Sequence, residues 1–424
     1  MKESTSSEAA VIRSGEAAAI RHHTGVQTIL VRAPNWIGDQ ILAYPFFYFL
    51  RKKYPKAHIT SVCVPWVADL QFRSCVDEVV VFNQLGSKSA LKKFLALRRF
   101  SRSICQNVDL AISLPNSFSS AYLLFSARAK VRRGFCDEST FSEARFLFLN
   151  DRVSWNKFGD GVHRAQAYLN LIPGGADSLR PASEFWAKLP ENELDPIEPG
   201  ELESFDVNQN WQNWQNRLPD ASAVEVLGGL RKPMVDPVGE DQSYFVVAPG
   251  ATAESRRWPE ENFIELIQML HAETGAKAVL VGGASEAGLC DRIVRKCGPA
   301  LAIDYAAQTS LVPLFSIFKK ADFAVCNESG LAHLAALSGT FVQIICGAAS
   351  PKRTQPLGPG LVQVAINPVD CWPCEKNHCE QAPGLKIQCL MGIRPEAVAT
   401  QLLVKLKKCR EQKAFLQFNG ASST

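Results

Sequence analysis

The sequence predicts an α/β protein made of two halves, each a parallel sheet with helices on both faces. Three observations predict this. Short, uninterrupted apolar runs alternate with helical stretches, as expected of βαβ units whose strands are covered on both sides. The alternation lapses near residue 174 and resumes near 243, across a segment rich in Pro, Asp, Glu and Asn. The chain has 424 residues, more than one ordinary domain holds.

Element by element, "VQTILVRAP" (Val26–Pro34) reads as the first strand, followed by a helix to about Arg51 that Pro45 should perturb. "AHITSVCV" (Ala57–Val64), "DEVVVF" and "VDLAISL" (Val108–Leu114) read as further buried strands, separated by helical stretches such as the basic "SKSALKKFLALRRFSRS". After the interruption, "SYFVVAPG" (Ser243–Gly250) is a strand. "PEENFIELIQMLHAETG" is a helix with Phe263, Leu266, Ile267 and Leu270 on one face and Gly275 closing it. "AKAVLVGG" is a strand, "ADFAVCNESGLAHLAALSG" a strand, turn and helix, and "TFVQIICGA" another strand. The expected boundaries are a polar leader at 1–25, a first half at 26–174, a linker or insertion at 175–242 containing "NQNWQNWQN", and a second half at 243–424. Ligands of such sheets bind at the carboxyl ends of the strands, and with two halves the cleft between them is the place to look.

Composition narrows the function classes. A net charge of +4 gives no electrostatic sign of a nucleic-acid partner. No run of 18 apolar residues predicts a membrane span, and the leader lacks the apolar core of a secretory signal. Thirteen cysteines, an odd number spread mostly singly, read as reduced thiols rather than a disulfide framework.

Four stretches carry candidate chemistry. In "VRAPNWIGDQILAYPFFYFLRKKYP", Asp39 stands behind Gly38 where a strand becomes a helix. Its plain reading is an N-cap; its chemical reading is a carboxylate at the cleft. In "VCNESGLAHLAALSG", Ser329 and Gly330 should open a helix whose free N–H groups suit a diphosphate, with His333 one turn in. There a structural cap by Asn327 or Ser329 is the alternative. In "APGATAESRRWPEENF", Thr252, Arg256 and Arg257 should project into the same cleft, where arginine suits phosphate oxygens; the alternative is a solvated loop stapled by Trp258. Neither a Walker G-x-x-x-x-G-K-[ST] nor a G-x-G-x-x-G after the first strand is present, which argues against a P-loop NTPase and an NAD enzyme. In "CWPCEKNHCEQAPGLKIQCLMGI", Cys371, Cys374, Cys379 and Cys389 are spaced C-x2-C-x4-C-x9-C, a weak candidate for zinc or iron, with His378 nearby; a packed loop of reduced thiols fits better. Basic amphipathic stretches at Lys88–Arg102 and in "RPEAVATQLLVKLKKCREQK" fit either helices packed on their own domain or contact with an anionic membrane surface. In the second, Ala399, Leu402, Leu403 and Leu406 form the apolar face.

Taken in order, "RAPNWIGDQILAYPFFYFLRKKYP", "LPNSFSSAYLLFSARAKVRRGF", "PGATAESRRWPEENF", "NESGLAHLAALSG" and "CWPCEKNHC" resemble glycosyltransferase family 9, the ADP-heptose:lipopolysaccharide heptosyltransferases, and within it the heptosyltransferase II branch. The resemblance spans roughly Val26–Gly174 and Ser243–Gln401. It implies a GT-B architecture, two Rossmann-like domains with parallel sheets facing a cleft, with acceptor bound by the first half and nucleotide sugar by the second. It also implies an inverting transfer without metal or other cofactor, and a cytoplasmic protein peripheral to the inner membrane. Its partners would be ADP-heptose and a lipid A-core acceptor. By the same resemblance Asp39 takes the general base's place. Thr252 and Arg256 fall at diphosphate-contacting positions; Glu328, Ser329, Gly330 and His333 match the nucleotide-sugar turn; Glu286 is a candidate for holding the nucleoside. Asn35, Trp36 and Asn116 fall on the acceptor side. Two positions depart from the family pattern: Glu328 stands for an aspartate and Arg256 for a lysine. Alternatives are a different nucleotide-sugar donor or cell-surface glycan acceptor, a non-catalytic nucleotide-sugar-binding protein, or a metal-dependent redox protein built on the cysteine loop.

Overall fold

The computed structural model describes residues 25–83, 90–104, 107–136, 145–154, 162–174, 237–239 and 242–420, with side chains described up to residue 408. The expected leader, almost all of the expected linker and its "NQNWQNWQN" stretch lie outside these residues.

The first half contains β1 (Thr28–Arg32), α1 (Ile37–Leu42), α2 (Tyr44–Lys53), β2 (His58–Cys63), β3 (Glu78–Val81), α3 (Ala90–Ile104), β4 (Leu110–Ser113), α4 (Phe118–Ser126), β5 (Val131–Phe135), β6 (Asp151–Val153) and α5 (Arg164–Leu169). Its six strands pair in parallel in the order β3-β2-β1-β4-β5-β6. The second half contains β7 (Tyr244–Ala248), α6 (Glu260–Thr274), β8 (Lys277–Leu280), α7 (Ala287–Cys297), β9 (Ala302–Asp304), α8 (Leu311–Lys320), β10 (Ala324–Asn327), α9 (Gly330–Leu337), β11 (Val342–Cys346), α10 (Pro351–Thr354), β12 (Val362–Ile366), α11 (Gln388–Met391) and α12 (Pro395–Gly420). Its strands pair in parallel in the order β12-β11-β10-β7-β8-β9. Both sheets are wound the same way, and each reverses its strand order beside its first strand: between β1 and β4, and between β7 and β10. Those reversals are where doubly wound sheets open a crevice for ligands.

Local chemistry explains the elements. The central strands β7, β10 and β11 are buried along their whole length, as strands covered on both faces must be. Pro45 splits the expected first helix in two, standing near the start of α2, where its missing N–H costs no helix bond. Gly275 closes α6 in the left-handed region at φ 69°. Phe263, Leu266, Ile267 and Leu270 form the buried face of that helix, as the spacing predicts. Ser117 caps α4 by accepting the Ser120 N–H at 3.2 Å.

Three apolar clusters hold the layers together. One lies behind the first sheet with α3 and α4, and one behind the second with α6 and α12. The third is continuous across both halves. In α12, Ala399, Leu402 and Leu406 are buried in the second half's own cluster, with Leu403 packed against it, so this basic helix spends its apolar face on its own sheet. Among the described residues no helix is long and apolar enough to cross a membrane.

At the seam, glycine main chain of each half packs on a side chain of the other. A methyl group on Gly38, at the start of α1, would come within 2.7 Å of the His333 ring in α9. One on Gly330, the first residue of α9, would come within 2.8 Å of Ile37 Cβ. Two helix starts, one per half, therefore abut at the paired switch points.

Candidate functional site

The turn after β1 places Asp39 in the first turn of α1. It is not the N-cap: that position belongs to Trp36, and no side chain caps the helix. The correction follows from where the chain turns, since Asn35 and Trp36 complete the strand-to-helix corner before Gly38. Asp39 still sits where a helix start favours a carboxylate. Its side chain is 25% exposed, and among the described residues the cation paired with it is Arg164 of α5, Nε at 3.7 Å from Oδ1.

Opposite lies the turn after β10. Ser329 is the residue before α9, and Glu328 just precedes it, 6% exposed. Glu328 pairs with Arg256, whose Nη1 lies 2.7 Å from Oε2. Burial drives the Glu328 carboxyl up, the Arg256 guanidinium and the Thr354 hydroxyl oppose this, and the Asp39 charge adds to it. The two carboxylates are thus close enough to feel each other, and four charges stand in a row across the cleft: Arg164, Asp39, Glu328, Arg256. The two departures from the family pattern, Arg256 and Glu328, are each other's partners. Neither position alone tells the sequence reader that.

The loop after β7 supplies Arg256 from a single 3-10 turn, Glu254–Arg256. Asn327 braces it by bonding the Trp258 N–H at 3.2 Å and the Pro249 carbonyl at 2.6 Å, so it is a strut rather than the helix cap the sequence allowed. Trp258 is buried, as a staple should be, with Nε1 on the Ile393 carbonyl. Arg257 departs from expectation. Its guanidinium turns back to the carbonyls of Ala251 and Thr252 at 2.6 and 3.2 Å, tying its own loop instead of facing the cleft. Thr252 keeps an exposed side chain on this loop. Glu286 fits against Gly250 and Gly282, where a methyl group would come within 2.2 and 2.7 Å of its stem, and accepts the Gly283 N–H at 2.8 Å.

Four buried polar atoms here make no hydrogen bond among the described residues: Ser329 Oγ, His333 Nδ1, Arg256 Nε and Glu328 Oε2, the last held only by its ion pair with Arg256. Buried polar groups are nearly always satisfied, so orphans on these two adjoining loops are a reason to seek a ligand here. On the other wall, Asn35 accepts from Arg32, and its carbonyl takes the Trp66 Nε1–H at 2.6 Å. Trp36 and Trp66 are 59% and 52% exposed. Asn116, after β4, is held by Arg145.

The cysteine loop lies behind Arg256. Ser255 donates its N–H to the Asn377 carbonyl at 3.2 Å and its hydroxyl to the Lys376 carbonyl, and His378 meets Glu254 at 3.0 Å. The Cys389 thiol is pushed up to about 11, first by burial and then by Cys374, Cys371 and Cys379. Among the described residues no group of three His, Cys, Asp or Glu side chains is arranged to hold a metal ion. The loop acts here as a brace for the Arg256 turn.

Two buried histidines line the seam. The His163 Nδ1 accepts the Ala165 N–H, so its proton sits on Nε2 and is donated to the Gln355 carbonyl at 2.9 Å. Burial, then the Arg164 charge, brings His163 down to about 4; burial, then His163, Arg256 and Arg164, brings His333 down to about 3. The unfolded chain takes protons near 6.5 that the folded chain refuses, so stability falls as pH drops from about 6.5 toward 4. Glu328, driven the other way, partly offsets this. Each unit is worth about 1.4 kcal/mol, so the loss is on the order of several kcal/mol. Denaturant unfolding of wild type and His333→Gln from pH 7 to 5 should give a visibly flatter acid slope in the variant; parallel curves would contradict the assignment.

The description "Glycosyltransferase family 9 (heptosyltransferase)" fits residues 97–193 and 203–384. The chain is 25% identical over 382 residues to lipooligosaccharide heptosyltransferase 2 of Haemophilus ducreyi, covering 88% of this chain and 98% of that one. It is 26% identical over 340 residues to lipopolysaccharide heptosyltransferase 2 of Escherichia coli, covering 78% and 85%. Among solved structures it is similar to E. coli ADP-heptose LPS heptosyltransferase II, with a TM-score of 0.60 at 22% identity, covering 91% of this chain and all of that one. The two-sheet GT-B fold is common to both.

Proposed function

This chain belongs to glycosyltransferase family 9, and from that premise we propose that it moves a heptose from ADP-heptose to the inner core of lipopolysaccharide, inverting the anomeric carbon with Asp39 as general base. The observation that carries the reading is the pairing of a carboxylate on one wall with orphaned buried polar atoms on the other. Residues 26–174 take the acceptor and residues 243–424 the donor. An acceptor hydroxyl oxygen attacks the anomeric carbon, the bond to the diphosphate oxygen breaks, and ADP leaves with the electron pair. The hydroxyl proton passes to Asp39 as the new bond forms. A sugar hydroxyl is far less acidic than a carboxylic acid, so this transfer comes late. The Ser329–Gly330 main chain and Arg256 take up the charge that grows on the diphosphate, the kind of stabilisation that usually contributes most. Donor binding then competes with Glu328 for the Arg256 guanidinium. His333 and Glu286 hold the nucleotide side; Asn35, Trp36 and Asn116 line the acceptor side. The displacement uses no metal.

A cytoplasmic protein working on a lipid-anchored acceptor needs a face for the membrane. The face that suits is formed by α3, α4 and the 3-10 turn Arg145–Leu147. Phe118, Phe125, Leu95 and Leu147 are 39%, 47%, 51% and 61% exposed there, beside exposed Lys92, Arg98, Arg99 and Arg102. Apolar side chains among cations fit an anionic bilayer surface.

A second reading, transfer from another nucleotide sugar, is favoured by the Arg256–Glu328 pair. Radiolabelled donors with a lipid A-core acceptor separate the two. ADP-heptose should be turned over faster than other ADP- and UDP-sugars, and product should form with inverted configuration. A preference for a different sugar would replace the first reading with the second. In the same preparation, vesicles containing phosphatidylglycerol should sediment wild type and release a Phe125→Ser, Leu147→Ser variant; equal sedimentation would remove this face.

A further inference from the structure

The sequence gives no hint of Arg164, which lies outside every motif, yet among the described residues it is the cation paired with Asp39. It is held from three sides. His163 caps α5 and bonds across the seam to Gln355, so the start of this short helix is fixed to the second half. Tyr168, one turn on and fully buried, hydrogen-bonds Arg164 and feels both Asp39 and Arg164. Glu375, from the cysteine loop, adds a further favourable charge to the guanidinium. At 3.7 Å the contact with Asp39 is an ion pair but too long for a hydrogen bond. That distance matters chemically. A tight, bidentate pair would occupy the carboxylate oxygens and weaken them as proton acceptors, whereas a looser one balances charge and leaves them open.

Facing Asp39 are Arg164 and Tyr168 from α5 and Glu328 from the turn before α9, with Arg256 behind Glu328. His333 packs on the adjacent Gly38. Without Arg164, Asp39 would face another carboxylate with no other ion-pair partner among the described residues. We propose that Arg164 is a positioning residue for the transfer, balancing the Asp39 charge against Glu328 and fixing its direction across the cleft while leaving its oxygens free for the acceptor hydroxyl. This rests on the reading of Asp39 as the base.

The test is the pH profile of kcat/KM with ADP-heptose and lipid A-core for wild type, Arg164→Met and Arg164→Lys. Removing a cation beside a carboxylate makes its proton harder to lose. The acid limb of Arg164→Met should therefore move to higher pH by about one unit or more, with kcat reduced and ADP affinity by calorimetry unchanged. Arg164→Lys, which keeps the charge, should return the limb toward wild type. Where Arg164→Met does not fold, Arg164→Gln against Arg164→Lys gives the same comparison. Because Glu328 titrates in the same cleft, the displacement should persist in a Glu328→Gln background. An unmoved acid limb, no recovery with lysine, or a displacement that vanishes with Glu328→Gln overturns the proposal. Near-normal turnover by Asp39→Asn would instead remove the base reading beneath it, so the two failures are distinguishable.

Discussion

Asp39→Asn should keep the fold and lose most of the transfer, by about 10²–10⁴-fold, the usual contribution of a positioned general base. The substitution is nearly isosteric and sits at a helix start that lacks any side-chain cap, so no capping bond is lost with it. What disappears is the negative charge opposite the Ser329 turn and beside Arg164. Binding of ADP, proposed for the other wall, should change little. The measurement is single-turnover transfer from radiolabelled donor together with ADP calorimetry and an unfolding curve. Transfer within a few-fold of wild type, in a folded variant, would take Asp39 out of the chemistry and leave it a helix-start residue.

Arg256→Ala should be felt twice. For the ligand, it removes a guanidinium contact to the diphosphate; hydrogen bonds of charged groups are worth about 1.5–3 kcal/mol, roughly ten- to hundredfold in ADP affinity. For the fold, it strips Glu328 of its ion-pair partner in a site where Glu328 is 7% exposed and Arg256 27%. Breaking a buried pair costs up to about 3–5 kcal/mol, less here because the arginine is partly solvated and the acid can take a proton. The sign with pH is specific. Burial already raises the Glu328 carboxyl, and loss of Arg256 raises it further. A folded form that holds a proton more tightly than the unfolded chain is favoured at low pH and loses that advantage as pH rises from about 4.5. The variant should therefore be close to wild type near pH 4.5 and progressively less stable toward pH 8, and Glu328→Gln added to it should recover part of the loss. Unchanged ADP affinity would contradict the diphosphate assignment; a pH-independent loss would contradict the pairing.

The parts of the fold legible in sequence were those with a one-dimensional signature. β1, β2, β4, β7 and β11 are apolar runs, α6 has a clean apolar stripe, and Gly275 and Pro45 punctuate as expected. The strand β5 was not legible because "VRRGF" carries two arginines. Their charges are met by partners distant in sequence, Arg133 by Asp151 at 2.5 Å and Arg132 by the carbonyl of Phe148. The three-residue strands β6 and β9 are too short to show a period. In the site, the turns after β1, β7 and β10 could be found because each joins a strand to a helical segment through small and polar residues. The orientation of Arg257, the bracing role of Asn327 and the approach of Arg164 could not, because each depends on which atoms lie within a few ångströms after the two sheets come together.

The glycine seam between α1 and α9 has a consequence for how such an enzyme can change. With no side chain on Gly38 or Gly330, the two walls approach until glycine backbone rests on the His333 ring on one side and on Ile37 on the other, and these four residues set their spacing. Substitutions that line either wall can then alter which sugar or which acceptor is accepted without resetting the gap the reaction must bridge. Specificity is free to drift while reach stays constant.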